Sequence, residues 1–152
     1  PDKSYTLTVP ANWKVINNDP ANLILAPDGA AGKTQTGLVV THGMFVGLQE
    51  LPANLRDNAA AAKAFIQLQL KDNPEMRVLD NPKQTTLSGI PAIYTPIGGD
   101  SPVTGRAERD VICTAVLPDG KLFYLVLISP VDEAQVYNQA FQKVLETLRI
   151  GN

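Results

Sequence analysis

The sequence predicts an α+β fold, one mainly antiparallel β-sheet with helices packed on it. Three observations carry this reading. The first third is cut every few residues by Pro, Gly, Asn and Asp into short apolar runs. A segment free of Gly and Pro then follows with helical periodicity, Leu55–Asp72. Finally, two long apolar runs joined by Pro118-Asp119-Gly120 lead into an amphipathic C-terminal segment. Strand runs and helical runs that do not alternate regularly favour an antiparallel sheet over a doubly wound parallel one.

Each element has a local reason. "SYTLTVP" alternates, placing Tyr5, Leu7 and Val9 on one face, and Pro10 ends it. "WKVIN", closed by Asn17-Asn18-Asp19-Pro20, "NLILAP", closed by Pro27, and the longer "GLVVTHGMFVG" complete a four-run meander. In the helical segment Ala61, Ala62, Phe65, Ile66 and Leu68 form one stripe. Asn54 or Asp57 supplies a cap, and Asn73-Pro74 ends the helix because proline disfavours helical geometry in the residue before it. "MRVLD", "QTTLSG" and "AIYTPI" read as strands, and "GGDSPVTG" as a loop.

"RDVICTAVL" and "KLFYLVLIS" form a hairpin around the Pro-Asp-Gly turn. The second run is apolar on both faces, which predicts a central strand covered on both sides. The last helix is expected to start at Ser129-Pro130, with Asp132 completing a capping box, and to bury Val136, Ala140, Phe141, Val144, Leu145 and Leu148. Lys143 and Arg149 lie where the helix dipole favours cations.

Bulk properties narrow the function classes. A chain of 152 residues, 44% hydrophobic and 18% charged, fits a single domain with one real core, residues 1–152. A formal charge of −2 leaves no basic field to replace counterions on nucleic acid or to hold an anionic membrane surface. The lone Cys113 does not report the redox compartment. No apolar run has the length of a spanning helix. The start at Pro1, without initiator Met or signal-peptide pattern, is the expectation for a piece of a longer protein.

Four places invite a chemical reading. "PDGAAGKTQTG" ends like a phosphate-binding P-loop, but the required first glycine falls on Pro27, and the following "QTGLVVTHG" alternates like a strand. Without that glycine and without a helix to receive the anion, no nucleotide cofactor is expected. His42, the only histidine, shares a face with Leu38, Val40, Met44 and Val46 and reads first as a hydrogen-bonded packing residue. It has no Cys or His partners at metal-ligand spacing, so no metal is expected. Cys113, in "VICTAV", reads as a small buried side chain.

The fourth place, "SPVTGRAERD", is the densest charged spot outside the helices. Arg106, Glu108 and Asp110 alternate onto one face with Arg109 opposite, either as a solvated strand entrance or as a polar recognition rim beside a loop. Trp13 reads as core rather than as an interface anchor. Arg106, Glu108, Arg109, Asp110 and His42 are therefore the candidate binding residues. No residue is a catalytic candidate, since no nucleophile elbow, His-Glu-x-x-His or Cys-x-x-Cys occurs.

"YTLTVPANWKV", "NLILAP", a central helix, "SGIPAIYTP", a hairpin and a C-terminal helix ending "LRI" resemble the PsbP-like fold. That α/β/α sandwich serves photosystem extrinsic subunits, a Ran-binding nuclear import factor and bacterial exported domains. "VPANWKV", "NPEMRVLDNP", "SGIPA", "DSPVTGRAERD" and "YNQAFQKVLETLRI" are moreover similar to the C-terminal domain that follows the catalytic part of some bacterial zinc metalloproteases of the CAAX-prenyl-protease class. The resemblance covers most of the chain through short motifs. It implies that catalysis lies outside this domain, because the zinc motif has no counterpart here.

The expectation is an extracytoplasmic, non-catalytic accessory domain. It would bind a protein or peptide partner, or a catalytic domain of its own parent chain. The alternatives from the residues are a small-ligand domain with a pocket near His42 and Cys113, and a structural subunit of an assembly.

Overall fold

The computed structural model describes residues 4–19, 21–35 and 37–151; Pro1 and Pro20, named above, lie outside them. In chain order the strands are β1 (Tyr5–Thr6), β2 (Trp13–Asp19), β3 (Asn22–Pro27), β4 (Ala31–Thr34), β5 (Gly37–Val40) and β6 (Gly43–Glu50). Helix α1 (Asn58–Asp72) follows, then β7 (Met76–Val78), β8 (Lys83–Leu87), β9 (Ile90–Asp100), β10 (Ala107–Val116) and β11 (Lys121–Pro130). A 3-10 turn over Val131–Glu133 leads into α2 (Ala134–Thr147) and the short β12 (Arg149–Ile150).

Among the described residues the main sheet runs in the order β2-β3-β6-β11-β10-β9-β7, with β8 also paired to β9, and its pairings are antiparallel. Central β11 lies between β6 and β10, as its two-sided apolarity requires. Its alternate side chains divide between two cores. Phe123, Leu125 and Leu127 pack with Tyr137, Phe141 and Val144 of α2 and with Leu148 just after it. Leu122 and Val126 pack with Ala61, Phe65 and Ile66 of α1. A helix therefore covers each face of the sheet, which is the predicted α+β class in α/β/α layers.

Asp57 caps α1, its carboxylate accepting from the Ala60 N–H at 2.8 Å, and Asn73 closes the helix through Gln69. The predicted stripe buries Ala61, Ala62, Phe65 and Ile66, whereas Leu68 stays exposed. Tyr5, Leu7 and Val9 do share a face and pack on the α2-side core, although only Tyr5–Thr6 pair as a strand, with β12. Trp13 is buried, as expected.

Several expectations are corrected. The meander is interrupted: β4 and β5 form their own two-stranded sheet, with Lys33 opposite Leu38, so Gly32-Lys33-Thr34 belongs to a strand. The next element is again a strand, not a phosphate-binding helix.

Second, Gly98 and Gly99 belong to β9 and not to the loop. A Cβ at Gly99 would collide with the Glu75 carbonyl oxygen, so only glycine lets β7 approach this closely. Third, Ser129 is no helix cap. β11 continues to Pro130, and the Ser129 hydroxyl donates to the Arg109 carbonyl at 2.9 Å across the β10–β11 ladder. Helix α2 begins later than expected; Tyr137, Phe141, Val144 and Leu148 are buried, whereas Val136 is 66% exposed. Arg149 meets the C-terminal expectation by donating to the Glu146 and Leu148 carbonyls.

Candidate functional site

The charged segment between β9 and β10 is a loop closed by its own hydrogen bonds. Buried Ser101 organises it: its N–H donates to the Arg106 carbonyl at 2.9 Å, and its own carbonyl accepts from Gly105 at 2.8 Å. Its hydroxyl accepts from the Val103 and Thr104 N–H groups at 3.4 Å. Gly105, with φ 68°, closes the turn in the left-handed region that suits glycine. The loop thereby delivers its charges to fixed places on two sides of the sheet end.

Arg106 goes to one side. Strand β10 begins at Ala107, so strand alternation does not bind Arg106, and it does not share a face with Glu108 and Asp110 as the sequence pattern predicts. Instead its guanidinium donates to both carboxylate oxygens of Asp132 at 2.7 and 2.8 Å, and to Glu133 Oε1 at 2.8 Å. The pairing holds both carboxyls below their ordinary values, and the Arg106 guanidinium above its own.

The Tyr137 hydroxyl donates to the other Glu133 oxygen at 3.3 Å, and the Tyr137 ring lies 5.1 Å from His42 and 6.3 Å from Trp13. His42 thus sits at the edge of the α2-side core near Met44 and Val46, half-buried, with Nδ1 3.0 Å from the Thr41 hydroxyl. Burial lowers its pKa, opposed by Glu133 and assisted by Arg106. Leu38 and Val40 part company with it: they lie on β5 and line the cleft on the opposite face.

Glu108 and Asp110 go to the other side, where α1, β5 and the sheet enclose a cleft of about 490 Å³. Asp110 is 5% exposed, and its Oδ1 has no hydrogen-bond partner. Burial, followed by the neighbouring Glu108 charge, pushes its carboxyl up to about 9, against the opposing Ser129 N–H. Glu108 is raised as well, chiefly by burial, with the Ser101 and Asp110 side chains opposing as hydrogen-bond donors. Two carboxyls this close in a low-dielectric site titrate as a pair and hold a proton between them at neutral pH. Arg109 lies exposed on the opposite face of β10, as alternation predicts.

Of the five candidate residues, the structure gathers Arg106 and His42 around Glu133 and Tyr137, and Glu108 and Asp110 in the cleft. Sequence reasoning missed Asp132, Glu133 and Tyr137 as site residues. It took Asp132 as a capping group and did not weigh Tyr137. Cys113 is sealed in the α2-side core, where burial pushes its thiol up to about 12. By strand register it lies roughly 16 Å from His42, so the two form no nucleophile–base pair. Among the described residues no group of three His, Cys, Asp or Glu is arranged to hold a metal ion. No helix among them is long and apolar enough to cross a membrane.

No family model matches the sequence, and a search of curated proteins finds no match. Solved structures do match. LpqN of Mycobacterium tuberculosis, described as involved in cell envelope biogenesis, is 18% identical with a TM-score of 0.60, over 97% of this chain and 83% of its own. Cyanobacterial PsbP (CyanoP) of Synechocystis sp. PCC 6803 is 14% identical, TM-score 0.59, over 98% and 88%. The Ran-binding protein Mog1p of Saccharomyces cerevisiae is 11% identical, TM-score 0.59, over 97% and 90%. The chain also spans 46% of a longer Bacteroides thetaiotaomicron protein, at 11% identity and a TM-score of 0.56. At these identities the likeness shows the fold, and the fold is PsbP-like.

Proposed function

We propose that this chain is a non-catalytic accessory domain that binds a protein partner, and that its recognition face is the rim formed by Arg106, Asp132, Glu133, Tyr137 and His42. The observation that supports the reading is the fixed geometry of the Ser101–Arg106 loop. It holds an exposed arginine, whose Nη2 donates to two acidic residues, on a rigid sheet end. Oriented charges beside aromatic side chains on a pre-formed scaffold are what a protein rim uses for register and specificity. The partner we infer is the catalytic part of a bacterial zinc metallopeptidase of the CAAX-prenyl-protease class, or that peptidase's protein substrate, outside the cytoplasm. The motif resemblance supports this parent, and the envelope role in LpqN's description supports the compartment.

The test uses the full parent chain. Arg106→Ala combined with Asp132→Ala is expected to raise KM for a folded protein substrate while leaving kcat/KM for a short peptide unchanged. Equal kinetics for both substrates would overturn the assignment of the rim. A parent chain without a zinc-peptidase motif would remove the peptidase from it.

A further inference from the structure

The cleft on the α1 side holds two acidic groups that the rim does not use. We propose that it is a binding site for a primary alkylammonium ligand, with Asp110 and Glu108 as its anionic floor and the walls enclosing the ligand's apolar stem. The proposal stands apart from the rim and its partner: a chain that binds the amine but no peptidase keeps this site and loses that partner.

One atom marks the cleft, Asp110 Oδ1. It is a buried acceptor on a carboxyl group that lines the cleft, and nothing in the described chain donates to it. An unmade hydrogen bond at a buried carboxyl is costly, and a ligand N–H removes the cost. Glu108, two residues along the same strand face, lines the same cleft. Tyr124 is the other titratable group there, and no Lys, Arg or His is among the described lining residues. The floor therefore lacks a cation of its own.

The walls decide which cation fits. Leu38 and Val40 of β5, Phe65 of α1, and Phe45, Val126 and Ile128 of the sheet present hydrocarbon to the cavity. A hard divalent ion asks for six or more oxygens, and among the described residues no third acidic, His or Cys side chain joins the pair. An ammonium needs only a few acceptors around a compact charge, and its methylene stem matches the apolar wall. The cavity of about 490 Å³ is within the range for small organic ligands.

Charge balance makes the proposal specific. With no ligand, the carboxyl pair retains a proton at neutral pH. When R–NH3+ enters, both carboxyls become carboxylates, and that proton leaves to the buffer. Binding should therefore release close to one proton and strengthen as the pH rises from 6 toward 8, while the amine itself stays charged.

The experiment is isothermal titration of the isolated chain with n-octylammonium, 1-octanol and octanoate, each in two buffers of different ionisation enthalpy. The expected result is that only the amine binds, releasing about one proton. Asp110→Asn and Glu108→Gln, each checked for folding by circular dichroism, should each weaken binding by roughly tenfold or more. Lys143→Gln, exposed on α2 across the sheet from the cleft, should leave it unchanged.

A second arm uses an apolar peptide with a single central lysine. Tighter binding of the peptide assigns the amine to a protein side chain, and tighter binding of octylammonium assigns it to a free ligand. The proposal is overturned if octanol binds as well as the amine, if no proton is released, or if both carboxyl variants bind like the parent.

Discussion

Replacing Asp110 by Asn should change the pH dependence of stability more than the stability itself. Asp110 is 5% exposed, and its carboxyl is pushed up to about 9 by burial and by Glu108. In the unfolded chain the same group titrates near 3.9. Between those values the unfolded state has lost a proton that the folded state keeps, so folding stability falls as pH rises across the window. The slope for one such proton is about 1.4 kcal/mol per pH unit, which from pH 5 to pH 8 amounts to a ceiling of about 4 kcal/mol. Water at the cleft mouth raises the effective dielectric and lowers that ceiling, so the expected loss is about 1–3 kcal/mol.

Asn does not titrate, resembles the protonated carboxyl in shape, and offers an N–H toward Glu108. The measurement is the urea midpoint of parent and Asp110→Asn at pH 5, 6, 7 and 8. Their difference cancels His42 and the other groups that do not face Asp110, and leaves the titration of the Glu108–Asp110 pair. The Asn variant should gain on the parent steadily from pH 5 to pH 8, with unchanged m-values. Parallel curves, or a constant deficit for Asn at every pH, would show that Asp110 is ionised in the folded state, and the reasoning from burial would fail.

Two further outcomes follow from neighbouring features. His42 should titrate below its ordinary value by NMR. Glu133→Gln should move it lower still, because Glu133 is the charge that raises it, and stability should fall as pH drops through this range as the half-buried ring is forced to charge. An unshifted His42 in both proteins would refute the contact. Gly47→Ala should destabilise by about 1–3 kcal/mol in urea melts, since a Cβ there would collide with the Ala21 carbonyl oxygen and displace the Tyr124 hydroxyl from Ala21 and Asn22. A neutral result would mean that β3 can move away from β6.

The legible part of the fold was the part written in periodicity. Two-sided apolarity marked β11 as central, and the stripe Ala61–Ile66 with Asp57 before it marked α1 and its cap. What failed depended on contacts distant in sequence. Gly98-Gly99 looks like loop composition until β7 is known to press against it. Ser129-Pro130 looks like a helix start until the β10–β11 ladder claims both residues, Pro130 opposite Glu108 and Ser129 opposite Arg109. The site divided the same way. Alternation along β10 correctly put Glu108 with Asp110 and Arg109 opposite, but it could not reach back past the strand's first residue to Arg106. Asp132 and Glu133 carried no signal as Arg106 partners, because the pairing spans 26 and 27 residues.

The placement of Asp110 sharpens the case for a ligand over a structural role. A buried carboxyl with an open acceptor weakens the fold at neutral pH, whereas Asn at the same position would keep the shape without the charge. A structural role would require Asp110 to hold something in place. Its neighbours do not need it: the Ser101 hydroxyl and backbone hold the loop, backbone pairing with β9 and β11 holds β10, and the rim's ion pairs lie elsewhere. The carboxyl thus contributes little to the architecture and lowers its stability. Its Oδ1 gains a partner only when a donor enters the cleft, and a cation is the donor that satisfies both Asp110 and Glu108 at once.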